Sequence, residues 1–267
     1  MPRILAGHLR MLLLAAIVPT LISADAAAAR KYKVVKVTNG GTVSGRVILK
    51  GKNPPPEKIL ITKNNDVCGK GYRAVQWVPV GRRKGLLETV VFLKKIKQGK
   101  GWKGALPTRK AVVRQKKCVF SPWLQVVRQG AEATIKNSDP VLHNIHIREL
   151  IGLRVGRARG VKRTMLNEAQ PGEKGALAAD LKTRIKPRRG RFIAINCEAH
   201  NFMFAWMFAA DHPYVDKTRR DGGYKISGIP PGKYTLSVWH STLGLQEKKI
   251  QVKAGGNLSH DFFYQAK

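Results

Sequence analysis

The chain is punctuated too often to hold long helices. Runs of β-branched and aromatic residues, TVSGRVILKG from Thr42, ETVVFLKKI from Glu88, LQVVRQG from Leu124, EATIKNSD from Glu132, RFIAINC from Arg191, YKISGI from Tyr224 and KYTLSVWH from Lys233, are bounded by Gly, Pro, Asn and Asp. Such side chains fit a pleated, half-buried surface, and the turn residues end it, which is the pattern of β-sandwiches. The expected fold class is therefore all-β. One helical turn is expected near Glu173 to Lys182, and KGKNPPPEK from Lys50 reads as a solvated, polyproline-like loop. At 267 residues the chain has room for one large or two modest domains.

The N-terminus is of a different kind. Arg3 and Arg10 precede an apolar run from Met11 to Ile22, and SADAAAA follows. A charged start, a short apolar core and a small-residue zone make a secretory signal peptide, with cleavage expected after Ala26 or Ala29. A membrane anchor is the alternative, but this run is broken by Pro19 and falls short of the roughly 20 residues that span a bilayer. The expectation is an exported or periplasmic protein without a transmembrane helix in the mature chain. Phe192 to Ala210 comes nearest to one, and Glu198, His200 and Asn201 interrupt it.

That same stretch, RFIAINCEAHNFMFAWMFAA from Arg191, carries Cys197, His200 and Met203 as Cys-x-x-His-x-x-Met. Thiolate, imidazole and thioether together suit copper, because sulfur favours Cu(I) and imidazole serves both oxidation states. A further ligand is expected from His143, which follows a polar turn in NSDPVLHNIHI and opens an alternating segment. A lone Cys or Met in an apolar run is ordinarily packing. Met207, ten residues from Cys197 in the returning strand, competes with Met203 as the thioether, but a core role is expected for it. His146 is out of phase with Ile145 and is expected at the surface or the site edge. His212 reads as a turn residue, His240 as an outside candidate for a second site, and His260 has no partner signal.

Asn-x-Asp-x-x-x-His-Asn at Asn137 to Asn144, followed by Cys-x-x-His-x-x-Met, resembles the cupredoxins, with a short ligand loop of the amicyanin type. CVFSP at Cys118, LNEAQP at Leu166, DHPY at Asp211 and PPGKYTLSVWH at Pro230 extend the likeness. They are similar to a methylamine-utilisation-like family of exported bacterial proteins that join a cupredoxin-like domain to a carboxypeptidase regulatory-like (transthyretin-like) β-sandwich. The resemblance covers roughly residues 40 to 265. It implies one type 1 copper site, with His143, Cys197 and His200 as equatorial ligands, Met203 axial, and Asn144 supporting the Cys197 sulfur and tying the ligand loops together. Three positions depart from the family: Asn201 stands for a proline, Trp123 for a histidine, and Ser241 for a glutamate after His240.

The strand order implies a divided chain. Residues 1–29 form the leader, 30–108 the first part of the regulatory-like sandwich, 109–212 a cupredoxin-like Greek-key sandwich inserted in or fused to it, and 213–267 the second part. Two sandwiches in succession, or one fused sheet system, are the alternatives. With Cys197 assigned to copper, Cys68 and Cys118 remain as an even pair in an oxidising compartment, giving either a disulfide, the economical reading, or two buried thiols.

No phosphate loop, nucleophile elbow or His-Glu-x-x-His motif occurs, and an enzyme is not expected. Removing the leader leaves 48 basic and 15 acidic residues, a net charge of +33, of which Arg148 to Arg191 contributes +9. A field of this sign steers an acidic redox partner or holds the chain on an anionic envelope surface. Nucleic acid is not expected, since aromatic residues do not interleave with the basic ones as in a stacking platform. Adaptation to an unusual medium would also account for the charge. Two functions follow: a one-electron copper carrier, or a non-redox module of the same fold that stores copper or attaches to an anionic glycan or envelope partner. Oligomeric state is not readable.

Overall fold

The computed structural model describes residues 32–104, 106–155, 160–172 and 179–266. The expected leader lies outside them, as do residues 173–178 of the expected helical turn. Leu181 and Lys182, at that turn's end, instead open the strand Leu181–Arg184, which pairs with Glu132–Ile135 and packs Leu181 on a core. The described chain is an all-β sandwich structure; its helices are the short Asn65–Cys68 and a 3-10 turn at Arg82–Lys84. None of its helices is long and apolar enough to cross a membrane.

An eight-stranded sheet is built from Thr108 to Ala210 alone. Its order is Val161–Gln170, His143–Ile151, Phe192–Asn196, Phe204–Ala210, Leu124–Asn137, Thr108–Lys116 and Val119–Ser121, with Leu181–Arg184 added against Leu124–Asn137. The long strand Leu124–Asn137 serves two neighbours in succession, Phe204–Ala210 with its first residues and chiefly Thr108–Lys116 with its last. Gly130, at φ +81, stands between the two stretches, where a residue with a Cβ would be strained. The sheet thereby curls round one core, into which Val113, Phe120, Ile135, Ile147, Ile195 and Met207 all project.

Two four-stranded sheets face each other across a second core. One orders Val215–Lys217, Thr89–Leu93, Gly232–His240 and Gly244–Val252; the other holds Gly223–Ile229, Gly41–Lys50, Asn257–Ser259 and Phe262–Gln265. Both thus draw on residues before and after the eight-stranded sheet. Strand alternation explains how these sheets stack on the first. Val91 and Leu93 point into the second core, while Val90 and Phe92 point the other way, into a third core shared with Val126, Phe192, Phe208 and Trp239. TVVFL is therefore a strand buried on both faces.

Glu149 fixes the far end of His143–Ile151. It is fully buried, and its carboxylate accepts N–H bonds from Arg188 at 3.1 Å, Arg189 at 2.5 Å and Gly190, and from Arg163 Nε at 2.9 Å. Burial alone pushes its carboxyl up, but these donors outweigh burial and hold it below its ordinary value. A carboxyl depressed in the folded state stabilises the fold above its unfolded pKa, and that stability is lost as pH falls through the folded value. Glu149→Gln is expected to cost about 2–4 kcal/mol at neutral pH in urea denaturation. The variant's stability should also fall less steeply than wild type below about pH 4.5; parallel acid profiles would show that Glu149 is not the group responsible.

Candidate metal centre

The alternation that turns Ile145 and Ile147 inward also turns His143 inward, and all three are buried. The ladder between Phe192–Asn196 and Phe204–Ala210 closes at Asn196 and Phe204, and residues 197–203 form its loop. That loop is tight: Cys197 N–H donates to Met203 O at 3.3 Å and Met203 N–H to His200 O at 3.1 Å. Cys197, His200 and Met203 are all buried, while Asn201 is exposed at the turn.

His143, Cys197 and His200 converge, with donor atoms within 4.8 Å of one another. His143 Nδ1 lies 3.2 Å from His200 Nδ1, and Cys197 Sγ lies 3.6 Å from His200 Nδ1. A first-row metal about 2.0 Å from imidazole nitrogen and 2.3 Å from thiolate leaves its ligands roughly 3.3–3.7 Å apart. The observed spacing therefore suits one ion. Met203 is buried in the same core as Cys197, and it also lines a groove of about 380 Å³ with Arg73, Trp123, Phe202 and Phe204.

The outer nitrogens decide what the inner ones can do. His143 Nε2 donates to Asp139 Oδ2 at 2.8 Å, and His200 Nε2 to Asn64 Oδ1 at 3.0 Å. Both Nδ1 atoms are then left as acceptors facing each other, with the Cys197 thiol 3.6 Å from that of His200, an arrangement that can hold a cation. A proton is disfavoured there. Burial lowers the pKa of His143 against the pull of Asp139, and burial followed by the repulsion of His143 and Lys63 takes His200 down to about 4. Burial also raises the Cys197 thiol, so binding of a metal would expel its proton.

Asn144 stands where the two ligand segments meet. Its N–H donates to Cys197 Sγ at 3.3 Å, its Oδ1 accepts from Glu198 N–H at 3.2 Å, and its Nδ2 donates to Asn167 Oδ1 at 2.8 Å. On the outer face His146 joins Glu198 at 2.6 Å and Thr164 at 2.8 Å, and Arg148 joins Asn196. Met207 is in the core. His212 is buried between Leu93 O and Tyr214 N–H, and His240 holds the N–H groups of Thr242 and Leu243. Neither belongs to a cluster of possible ligands among the described residues.

Cys68 and Cys118 form a disulfide, with their Cα atoms 5.1 Å apart. The bond lies against the site, since both sulfurs are within 4.8 Å of a His200 ring nitrogen. Sequence reasoning missed this proximity and two residues besides. Asn64 is 136 positions from His200, and nothing in the sequence joins them. Asp139 had a signal, a carboxylate four positions before a histidine after a turn-forming Asn. Asn137 Oδ1 accepts Asp139 N–H at 3.0 Å and its Nδ2 reaches Val141 O at 2.9 Å, which shapes the turn between them.

Asp139 also accepts the N–H groups of Lys117 at 2.6 Å and Cys118 at 2.8 Å. Burial pushes its carboxyl up, but the Cys118 N–H, His143 and the Lys117 N–H together hold it below its ordinary value. No protein-family model, curated protein or solved structure matches the chain. Outer partners of this kind typically contribute 10–100-fold to metal affinity. Asp139→Asn is accordingly expected to weaken Cu(I) retention by roughly 10–100-fold in chelator competition; an unchanged affinity would leave Asp139 a purely structural role.

Proposed function

We propose that the chain is an exported one-electron carrier of the cupredoxin kind, and not an enzyme, with a type 1 copper site. His143, Cys197 and His200 would hold the metal, with Met203 as a weak axial thioether. The observation that carries this reading is the convergence of two imidazole Nδ1 atoms and one thiol at the spacing a single ion needs. Copper bound there would supply one-electron exchange between Cu(I) and Cu(II). The protein's part is to hold its donors still. Asp139 and Asn64 fix the two rings, Asn144 donates to the sulfur, and the closed 197–203 loop allows the thiol little freedom. Little rearrangement between oxidation states is what fast electron exchange requires.

The same reading assigns residues 109–212 to a cupredoxin-like sandwich inserted into a regulatory-like one made of 30–108 and 213–267. Its support is the strand inventory, in which Gly41–Lys50 and Thr89–Leu93 pair with strands that follow Ala210. Export is supported by the disulfide, a bond that persists in oxidising compartments. A partner with an acidic face, or an anionic envelope surface, is supported by the net charge of +34.

One observation favours a second reading, a non-redox copper store. His200 is 2% exposed and its outer nitrogen is covered by Asn64, so its ring edge offers no open contact for a partner. A visible titration with Cu(II) separates the two. The carrier should show an intense thiolate-to-copper band that Cys197→Ser abolishes. Stoichiometric uptake without colour in either redox state would rule out the carrier and leave the store. Transfer to an acidic acceptor should also slow steeply as salt rises, because exposed charges are screened within about 8 Å at physiological ionic strength; salt-independent rates would remove the acidic partner.

A further inference from the structure

Residues 57–75 form a cap. Glu57–Leu60 pairs only with Tyr72–Val75, both strands are largely exposed, and the helix Asn65–Cys68 lies between them. Ile59 and Val67 pack against the core of the eight-stranded sheet. Asn64 meets His200, Arg73 Nη2 donates to Lys117 O at 3.1 Å and lies over the Phe202 ring, Ile61 packs in the barrel core, and Cys68 is bonded to Cys118. The two cysteines are held by different elements. Cys118 is held in its turn by Asp139, whereas Cys68 rides on the cap.

We infer that Cys68 and Cys118 are a latent Cu(I) site: opened by an external dithiol, their thiolates and His200 take a copper ion beside the centre described above. The three donors are already buried together, within 4.8 Å of one another, and need no new element to assemble them. Opening proceeds by thiol–disulfide exchange. A thiolate of the dithiol attacks one sulfur to give a mixed disulfide, and its second thiol resolves it. Two electrons and two protons pass to Cys68 and Cys118, and the dithiol leaves as its own disulfide. Cu(I) then displaces the two thiol protons, and copper changes no oxidation state.

Geometry and softness favour that ion. Two thiolates each about 2.3 Å from one metal stand roughly 4 Å apart, so the sulfurs must separate. The movement falls to Cys68, which sits in a four-residue helix between two largely exposed strands, because Cys118 is bound in its turn by Asp139. Two thiolates and an imidazole are a soft set that selects Cu(I). His200 belongs to both donor sets, and with its Nε2 donating to Asn64 it offers one lone pair, so copper takes this imidazole at one site or at the other. The inference does not need Cys197, and so stands or falls apart from the carrier reading.

The test uses the full chain carrying Cys197→Ser. Oxidised and phosphine-reduced samples, freed of phosphine without air, are titrated with Cu(I) against a chelator, with far-UV circular dichroism as the check on folding. Reduction should add one equivalent of tightly held Cu(I), with two sulfur neighbours by X-ray absorption, and Cys118→Ser in the same background should remove it. The proposal is overturned if reduction adds no copper, if the added copper has one sulfur neighbour or survives Cys118→Ser, or if reduction erases the β-sheet signal.

Discussion

Burial on both faces of the strand pair Phe192–Asn196 and Phe204–Ala210 is the constraint from which the rest follows. Ile193, Ile195, Ala205 and Met207 fill the curled sheet, while Phe192, Ala194, Phe208 and Ala210 meet Val90, Phe92 and Trp239 on the other side. Each large apolar side chain so buried is worth about 1.5–3 kcal/mol. A slip of one residue would exchange the two sets, forcing phenylalanines into space shaped for isoleucine and methionine. The register is therefore firm at Asn196 and Phe204, and the 197–203 loop leaves the sheet from one fixed point.

Asp139 carries that firmness to the opposite side of the site. One carboxylate holds His143, which opens a strand beside Phe192–Asn196, together with the Lys117–Cys118 turn, whose residues have φ of 51 and 55. Two successive non-glycine residues in that region are costly, and the shared acceptor offsets the cost. A histidine, a strained turn and a disulfide thus share one charge. Asp139 is joined by hydrogen bonds both to the Cys118 backbone and to the His143 ring.

What could be read from the sequence was local. Alternation predicts which face of His143–Ile151 turns inward, and the position of Met207 in an apolar strand predicts its packing. With Cys197 set aside as a metal ligand, the two cysteines left in an oxidising compartment predict the pairing of Cys68 with Cys118, and these two are joined. The cap was illegible. NDVC has no helical periodicity, and a four-residue helix owes its existence to its attachments at Asn64 and Cys68 rather than to propensity. Leu181 was misjudged for the related reason that its strand is set by pairing with Ile135, a partner supplied from far along the chain.

The charge acts differently in different places. Arg163 and Arg191 belong to the basic segment before the ligand loop, yet Arg163 is bound to buried Glu149 and Arg191 to Asp211, with its guanidinium over Phe92. Those arginines hold the fold together. Other cations stand at sheet edges: Lys162 on Val161–Gln170, and Lys248 and Lys249 on Gly244–Val252, each strand being the last of its sheet. An open edge invites pairing with another chain, and lysine there makes that pairing costly. With 50 basic residues against 16 acidic, most cations have no carboxylate to meet, and two of the carboxylates, Asp139 and Glu149, are already turned inward. The charge left at the surface is positive, and its field opposes the approach of further copies of the chain.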